Sequence, residues 1–174
     1  MNAVLPSKSA REQFATARQQ LEIEASDLID LSWTPWRRIW LSARDNIWTL
    51  VDAADYDWLS EHVWNVWHSG SNRSCNWMKY AKRNDGPARS TVRMHREIMI
   101  RHDPRDDAFL AAHPVDHING QTLDNRFSAN LRWLTKQQNA INRRARGSAP
   151  SLDQIVRELV AGLGARPQAL EDTF

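Results

Sequence analysis

The sequence predicts an α+β chain, a small mixed-sheet module flanked by N- and C-terminal helices. Three observations carry this. Phe14, Ala17, Leu21, Ala25 and Leu28 recur at helical spacing. Apolar and polar residues alternate over Val63–Trp67 and Asn76–Lys82, as in half-buried strands. A second helical segment, Leu152–Leu163, follows a Gly- and Pro-containing break at 147–150.

The elements follow in order. Ser9 to about Leu31 reads as one helix, capped by Ser7 or Ser9 and ended by Trp33-Thr34-Pro35-Trp36, because the residue before a proline avoids helical geometry. Its stripe is most simply docked on the domain. A short strand is predicted over Ile47–Val51. Asp52 then caps a brief helix containing Tyr56, Trp58 and Leu59, with Asp55 completing a capping box. The two alternating strands are joined at Ser69-Gly70-Ser71-Asn72, and Asn84-Asp85-Gly86-Pro87 closes the second. Val92, Met94 and Arg96 mark a further strand leading into a helix over Glu97–His102. A short strand carries Asp116-His117, Asn119-Gly120 reverses the chain, and a helix begins near Thr135 with Gln138 completing its capping box. The last helix starts at Ser151 and ends by Gly162, Gly164 and Pro167, either packing on the module or reaching toward a substrate. The nine tryptophans are spaced as core and sheet-face residues. The expected organisation is therefore an N-terminal helical extension over 1–35, a central domain over 36–146 with its functional core at about 92–144, and a helical tail over 147–174.

With 41% hydrophobic and 25% charged residues among 174, the composition is globular. No apolar run approaches the ~20 residues that span a bilayer, and the N-terminal stretch has no apolar signal core. No membrane partner is expected, and the expected location is cytoplasmic. A single cysteine, Cys75, excludes an intrachain disulfide and any multi-thiolate zinc knuckle. The net charge of +2 is weak, but its distribution is not even. Arg126, Arg132, Lys136, Arg143, Arg144 and Arg146 fall in a stretch without Asp or Glu, and Lys79, Lys82, Arg83, Arg89, Arg93 and Arg96 lie upstream. Such a field suits a phosphate backbone.

The densest cluster of chemical side chains runs from Asp116 to Asn142: Asp116-His117-Ile118-Asn119-Gly120, Leu123-Asp124-Asn125-Arg126, Asn130-Leu131-Arg132-Trp133-Leu134-Thr135, then Asn139 and Asn142. Phosphodiester hydrolysis needs an activated water and charge compensation at phosphorus. A neutral histidine takes up a proton near neutral pH, and Asp116 and Asn139 offer hard oxygen ligands suited to Mg²⁺ or Mn²⁺. In an ideal strand Asp116 and His117 point to opposite faces, so bringing both to one phosphate requires local distortion or help from the returning helix. Asn119, Asp124 and Asn125 read as turn formers. Arg132, Arg143 and Arg144 are the preferred phosphate contacts, with Arg96, Arg126, Lys136 and Asn142 as further DNA-binding candidates.

The stretch from Leu50 to Arg144 resembles the phage and homing branch of the HNH endonucleases. Val51-Asp52 through Trp64 looks like that branch's leading module, Met94-His95-Arg96 like its middle strand, and DHINGxxLDNR…NLRWLT…QN like its catalytic core. The resemblance implies a ββα-metal fold, one divalent ion per site (Mg²⁺ or Mn²⁺) and hydrolysis of double-stranded DNA, in host cytoplasm if phage-encoded. It implies His117 as general base, Asp116 and Asn139 as metal ligands, and Asn130 as the residue that holds the loop and the imidazole. Asn142, one turn beyond Asn139, is the alternative ligand or a phosphate contact. His95 is either an active-region residue or a partly buried strand histidine. Two other functions compete: a non-cleaving DNA-binding protein on the same scaffold, and a packaging or assembly accessory acting through its helical ends. A single catalytic motif favours a monomer.

Overall fold

The computed structural model describes residues 28–69, 78–141 and 149–164, and a compact unit begins at Leu31. The predicted N-terminal helix lies outside the described residues as far as 27. At 28–31 the chain is not helical, so a helix does not reach Leu31. The Leu31 carbonyl instead accepts the Thr34 amide (3.1 Å) and hydroxyl (2.9 Å), which turns the chain and buries Leu31.

Strand β1 (Trp36–Ser42) pairs antiparallel with β2 (Ile47–Asp52) through a turn in which Asn46 takes φ 49°. Sequence reading missed β1, because Arg37 and Arg38 interrupt its apolar pattern. In β2, Trp48, Thr49, Leu50 and Val51 are all buried, so this strand is covered on both faces rather than alternating. Helix α1 (Ala53–Ser60) follows. Asp52 occupies its N-cap position, but its carboxylate caps elsewhere, accepting the Ser128 amide and hydroxyl at 3.1 Å each. The expected capping box is thus absent, and Asp55 is buried to accept from Trp58 Nε1 (3.0 Å) and pair with His102 Nε2 (2.8 Å).

Strands β3 (Asn65–Ser69), β4 (Met78–Asp85) and β5 (Ser90–Arg93) form an antiparallel sheet in that order. Helix α2 (Met94–His102) starts directly after β5, so Met94, His95 and Arg96 are helical and not the middle strand expected for them. Burial of Met94, His95, Ile98 and Met99 explains this: 0, +1, +4 and +5 is a helical face. A second unforeseen element, α3 (Asp107–Ala112), is capped by Asp106, which accepts the Phe109 amide at 2.8 Å. Then come β6 (Val115–His117), α4 (Phe127–Asn130), β7 (Leu131–Trp133), α5 (Lys136–Ile141) and α6 (Leu152–Leu163).

The α+β class is as expected, and among the described residues the strands form three small antiparallel sheets. The one parallel pairing among the described residues is the isolated bridge Leu50–Asp124. One core unites Ile39, Leu41, Val51, Leu59, Trp64, Ala81, Met94, Ile98, Met99, Leu123 and Leu131. Of the described tryptophans, only Trp48 and Trp64 are fully buried, and Trp40 is exposed. No helix among the described residues is long and apolar enough to cross a membrane.

Helix α6 has the predicted bounds and cap, with Ser151 Oγ accepting the Gln154 amide at 3.1 Å. It packs on the module: Leu152 lies against the core, Ile155 and Val156 are buried, and Gln121 Nε2 donates to the Pro150 carbonyl at 2.8 Å. Ile155→Ala should cost about 2 kcal/mol, the low end for a buried isoleucine. Urea denaturation measures this, and no loss would mean that the contact does not hold α6.

Candidate active site

The site is built on the β6–β7 ribbon, paired Val115–Trp133, Asp116–Arg132 and His117–Leu131 with no bulge. The expected distortion is absent, and ordinary strand alternation holds. His117 is turned into the interior, whereas Asp116 is only partly buried and meets Arg132 across the ribbon. Both Nε and Nη2 of Arg132 lie 2.9 Å from Asp116 Oδ2.

After β6 the chain reverses tightly. Gly120 takes φ 79°, favoured for glycine alone, and its amide donates to the His117 carbonyl at 2.9 Å. Asn119 Oδ1 accepts the Gln121 amide at 2.8 Å, a turn contact as expected. Asn130 closes the loop from the far side: its Oδ1 accepts the Asn119 amide (2.8 Å) and its Nδ2 donates to the Asp124 carbonyl (2.7 Å). These bonds hold the loop, while the imidazole is held by a residue that sequence reading assigned to a turn. Asn125 Oδ1 lies 3.1 Å from His117 Nε2.

Asp124 and Asn125 are completely buried, which turn formers rarely are. Asp124 accepts from Arg126 Nε (2.7 Å), Arg126 Nη2 (2.8 Å) and Asn119 Nδ2 (2.7 Å). The loop is also clamped from β2, far earlier in the chain. Leu50 N donates to the Leu123 carbonyl (2.9 Å), Asn125 N donates to the Leu50 carbonyl (2.8 Å), and the Thr49 hydroxyl donates to the Leu123 carbonyl (2.7 Å). Thr122 Oγ1 donates to the Lys79 carbonyl of β4 at 2.6 Å. The leading β1–β2 hairpin is therefore part of the site's support.

His95 is also buried, and its ring meets that of His117 edge-on, with centroids 5.2 Å apart. Tyr80 lies 5.6 Å from His95 and 6.1 Å from His117. Burial holds His95 well below the usual histidine range, and the nearby His117, Arg93 and Arg96 add to this. His117 is lowered too: burial outweighs the opposing effects of the Asn125 hydrogen bond and the Asp124 and Asp116 charges. The folded protein thus disfavours protonation of both rings, whereas the unfolded chain protonates them near pH 6.5. Stability is complete above that pH and is lost as pH falls below it, by up to about 1.4 kcal/mol per pH unit for each histidine. Urea denaturation between pH 7.5 and pH 5 should show this decline, and His95→Gln should reduce its slope.

Among the basic candidates, two are corrected. Arg126 is buried and its guanidinium is bound to Asp124, so it is a structural cation rather than a phosphate contact. Arg96 turns inward: its Nη2 donates to the Leu110 carbonyl at 2.6 Å and its guanidinium lies over Trp133, which joins α2 to α3. Lys136 is exposed at the start of α5, and Arg132 is partly exposed. Asn142, Arg143 and Arg144 lie outside the described residues.

Helix α5 begins with the predicted capping box: the Gln138 amide donates to Thr135 Oγ1 (3.2 Å) and the Thr135 amide to Gln138 Oε1 (2.9 Å). Asn139 is the one residue of this helix that is not exposed. Among the described residues no three His, Cys, Asp or Glu side chains converge, which excludes a zinc-type cage there. One carboxylate plus amide oxygens fits a weakly held hard ion that completes its shell with water and phosphate.

A two-stranded ribbon bearing Asp-His, a side-chain-locked loop and a capped helix define a ββα unit. Residues 111–141 match the HNH endonuclease family model, a similarity that suggests a nuclease-type, DNA-related function. Searches of curated proteins and of solved structures returned no match.

Proposed function

We propose that the chain is a divalent-metal-dependent DNA endonuclease of the phage or homing type, acting as a monomer on double-stranded DNA. The observation that carries this is the family match over residues 111–141, whose β6–β7 ribbon bears a buried His117 held by Asn125 on one face and Asp116 on the other. His117 takes the proton of the attacking water as its oxygen bonds to phosphorus, the bridging P–O bond breaks, and the departing oxygen is protonated from solvent. His95 and Tyr80 fix the plane of that ring by packing, and the neutrality of His95 keeps charge repulsion away from the imidazolium as it forms. Asn130 keeps the loop closed. Asp116 and Asn139 are the proposed ligands of a Mg²⁺ or Mn²⁺ ion, with Asn142 as the alternative to Asn139. When bound, such an ion supplies charge compensation at the phosphoryl and leaving oxygens. Lys136, Arg143 and Arg144 are proposed to contact the DNA backbone, as is Arg132 once a phosphate draws it from Asp116.

That last exchange makes a prediction. Arg132 competes with the ion for Asp116, and because the Arg132 end of this part-buried pair is over a third exposed, the pair is worth about 1 kcal/mol. Arg132→Ala should therefore bind Mn²⁺ without DNA several-fold more tightly by titration calorimetry, while binding DNA more weakly. Unchanged Mn²⁺ affinity would remove the competition from the account.

Incubation of the protein with supercoiled plasmid tests the function. Nicked or linear product is expected with Mg²⁺ or Mn²⁺, none with EDTA, and little from Asp116→Ala. Retained DNA binding with no product under any divalent ion would instead make the chain a non-cleaving DNA-binding protein.

A further inference from the structure

We infer that Asn125, itself oriented by Thr49, is a positioning residue that fixes His117 as its Nε2–H tautomer and leaves Nδ1 as the atom that accepts the proton. The catalytic consequence rests on the reading of His117 as general base; the tautomer does not.

The inference follows from a chain of buried hydrogen bonds whose directions are set at its far end. The Leu123 carbonyl can only accept, and the Thr49 hydroxyl lies 2.7 Å from it. The single hydroxyl proton of Thr49 is thereby used, and its oxygen is left as an acceptor. Asn125 Nδ2 is 2.8 Å from that oxygen and 3.6 Å from Met94 Sδ, two groups that both receive a hydrogen from it. The opposite amide orientation would set Oδ1 against the methionine sulfur, with no hydrogen between them. It would also draw the Thr49 proton away from Leu123. With Nδ2 committed to Thr49, Oδ1 faces His117, and an oxygen at 3.1 Å from Nε2 requires that nitrogen to carry the hydrogen. A neutral ring then has its lone pair on Nδ1.

This arrangement suits both states of the reaction. Nδ1 receives the water proton while Oδ1 continues to accept from Nε2–H, so the imidazolium forms without any change of partner. Each member is locked: Thr49 and Asn125 are fully buried, and the backbone N–H of Asn125 donates to the Leu50 carbonyl. The chain explains why the site depends on β2, which lies outside the matched segment.

The test is nitrogen-15 NMR of histidine-labelled protein, in which protonated and unprotonated ring nitrogens resonate far apart, beside cleavage of plasmid with Mg²⁺. Wild type should show His117 with a protonated Nε2 and a bare Nδ1. Thr49→Val, nearly isosteric, should give mixed tautomers, and Thr49→Ser should restore the wild-type spectrum. Asn125→Ala should lose the single tautomer and about 100-fold in turnover, within what a positioned base supplies, with little change in KM. A protonated Nδ1 in wild type, or a spectrum unmoved by Thr49→Val and Asn125→Ala in folded protein, overturns the inference. If the spectra behave as stated but His117→Ala still cleaves normally, the tautomer assignment stands and the base assignment falls.

Discussion

Asp124→Ala is expected to destabilise the protein by about 3–5 kcal/mol, the largest effect of any single substitution near the site. The cost lies less in the lost carboxylate than in what it leaves behind. Arg126 is 6% exposed, and both of its guanidinium bonds to this carboxylate would vanish, leaving a charge without a partner away from water. Asn119 Nδ2 loses its acceptor as well. Because most domains are stable by only about 5–15 kcal/mol, the variant would approach the unfolding threshold. Removing both charges should be far milder. Asp124→Ala combined with Arg126→Met is therefore predicted to recover a large part of the loss in urea denaturation. A loss below about 1 kcal/mol for Asp124→Ala alone would show that the pair is solvated.

The second large effect falls on catalysis. His117→Ala should lower the cleavage rate by about 10²–10⁴-fold, the usual contribution of a positioned acid or base. Folding and DNA binding should persist. The imidazole is not the anchor of its loop, which is fastened by Asn130, Leu50, Thr49 and Thr122. The proposed phosphate contacts lie on other side chains. Asp116→Ala should likewise keep the fold, since its carboxylate is partly solvated beside Arg132.

Local structure was legible wherever a signal is local. Capping residues gave α5 through Thr135 and Gln138 and α6 through Ser151, and Asn119-Gly120 gave the reversal after β6. The Asp-His strand was equally clear. Elements whose state is decided by tertiary contact were not. Met94–Arg96 alternates well enough for a strand, yet its helical face is what packs on the core. Arg37 and Arg38 mask β1 because long cationic side chains can lie on a sheet face while their heads find partners, as Arg38 does over Trp48.

The same division runs through the candidate site. His117 and Asp116 stood out by type and spacing. The supports of His117 did not, because Asn125 and Thr49 are 76 residues apart and their chemistry shows only once they are buried together. Asp124-Asn125-Arg126 reads as a solvated turn in any local window. The same Asp and Arg two residues apart could form an exposed pair, and it is burial against the β2 backbone and the Trp36 ring that sets this one apart. Basic residues were the weakest signal for the same reason: Arg96 and Arg126 were spent on the fold itself.

Chemical rescue tests the central claim most directly. Single-turnover cleavage of supercoiled plasmid with Mg²⁺ would be followed for wild type and for His117→Ala, each with and without added imidazole. Removal of the ring takes away a group of imidazole's own size and leaves Asn125 Oδ1 without its partner. Cleavage should fall in His117→Ala and recover in part with imidazole, while wild type is unaffected by it. Undiminished cleavage by His117→Ala would contradict the assignment of His117 as the base.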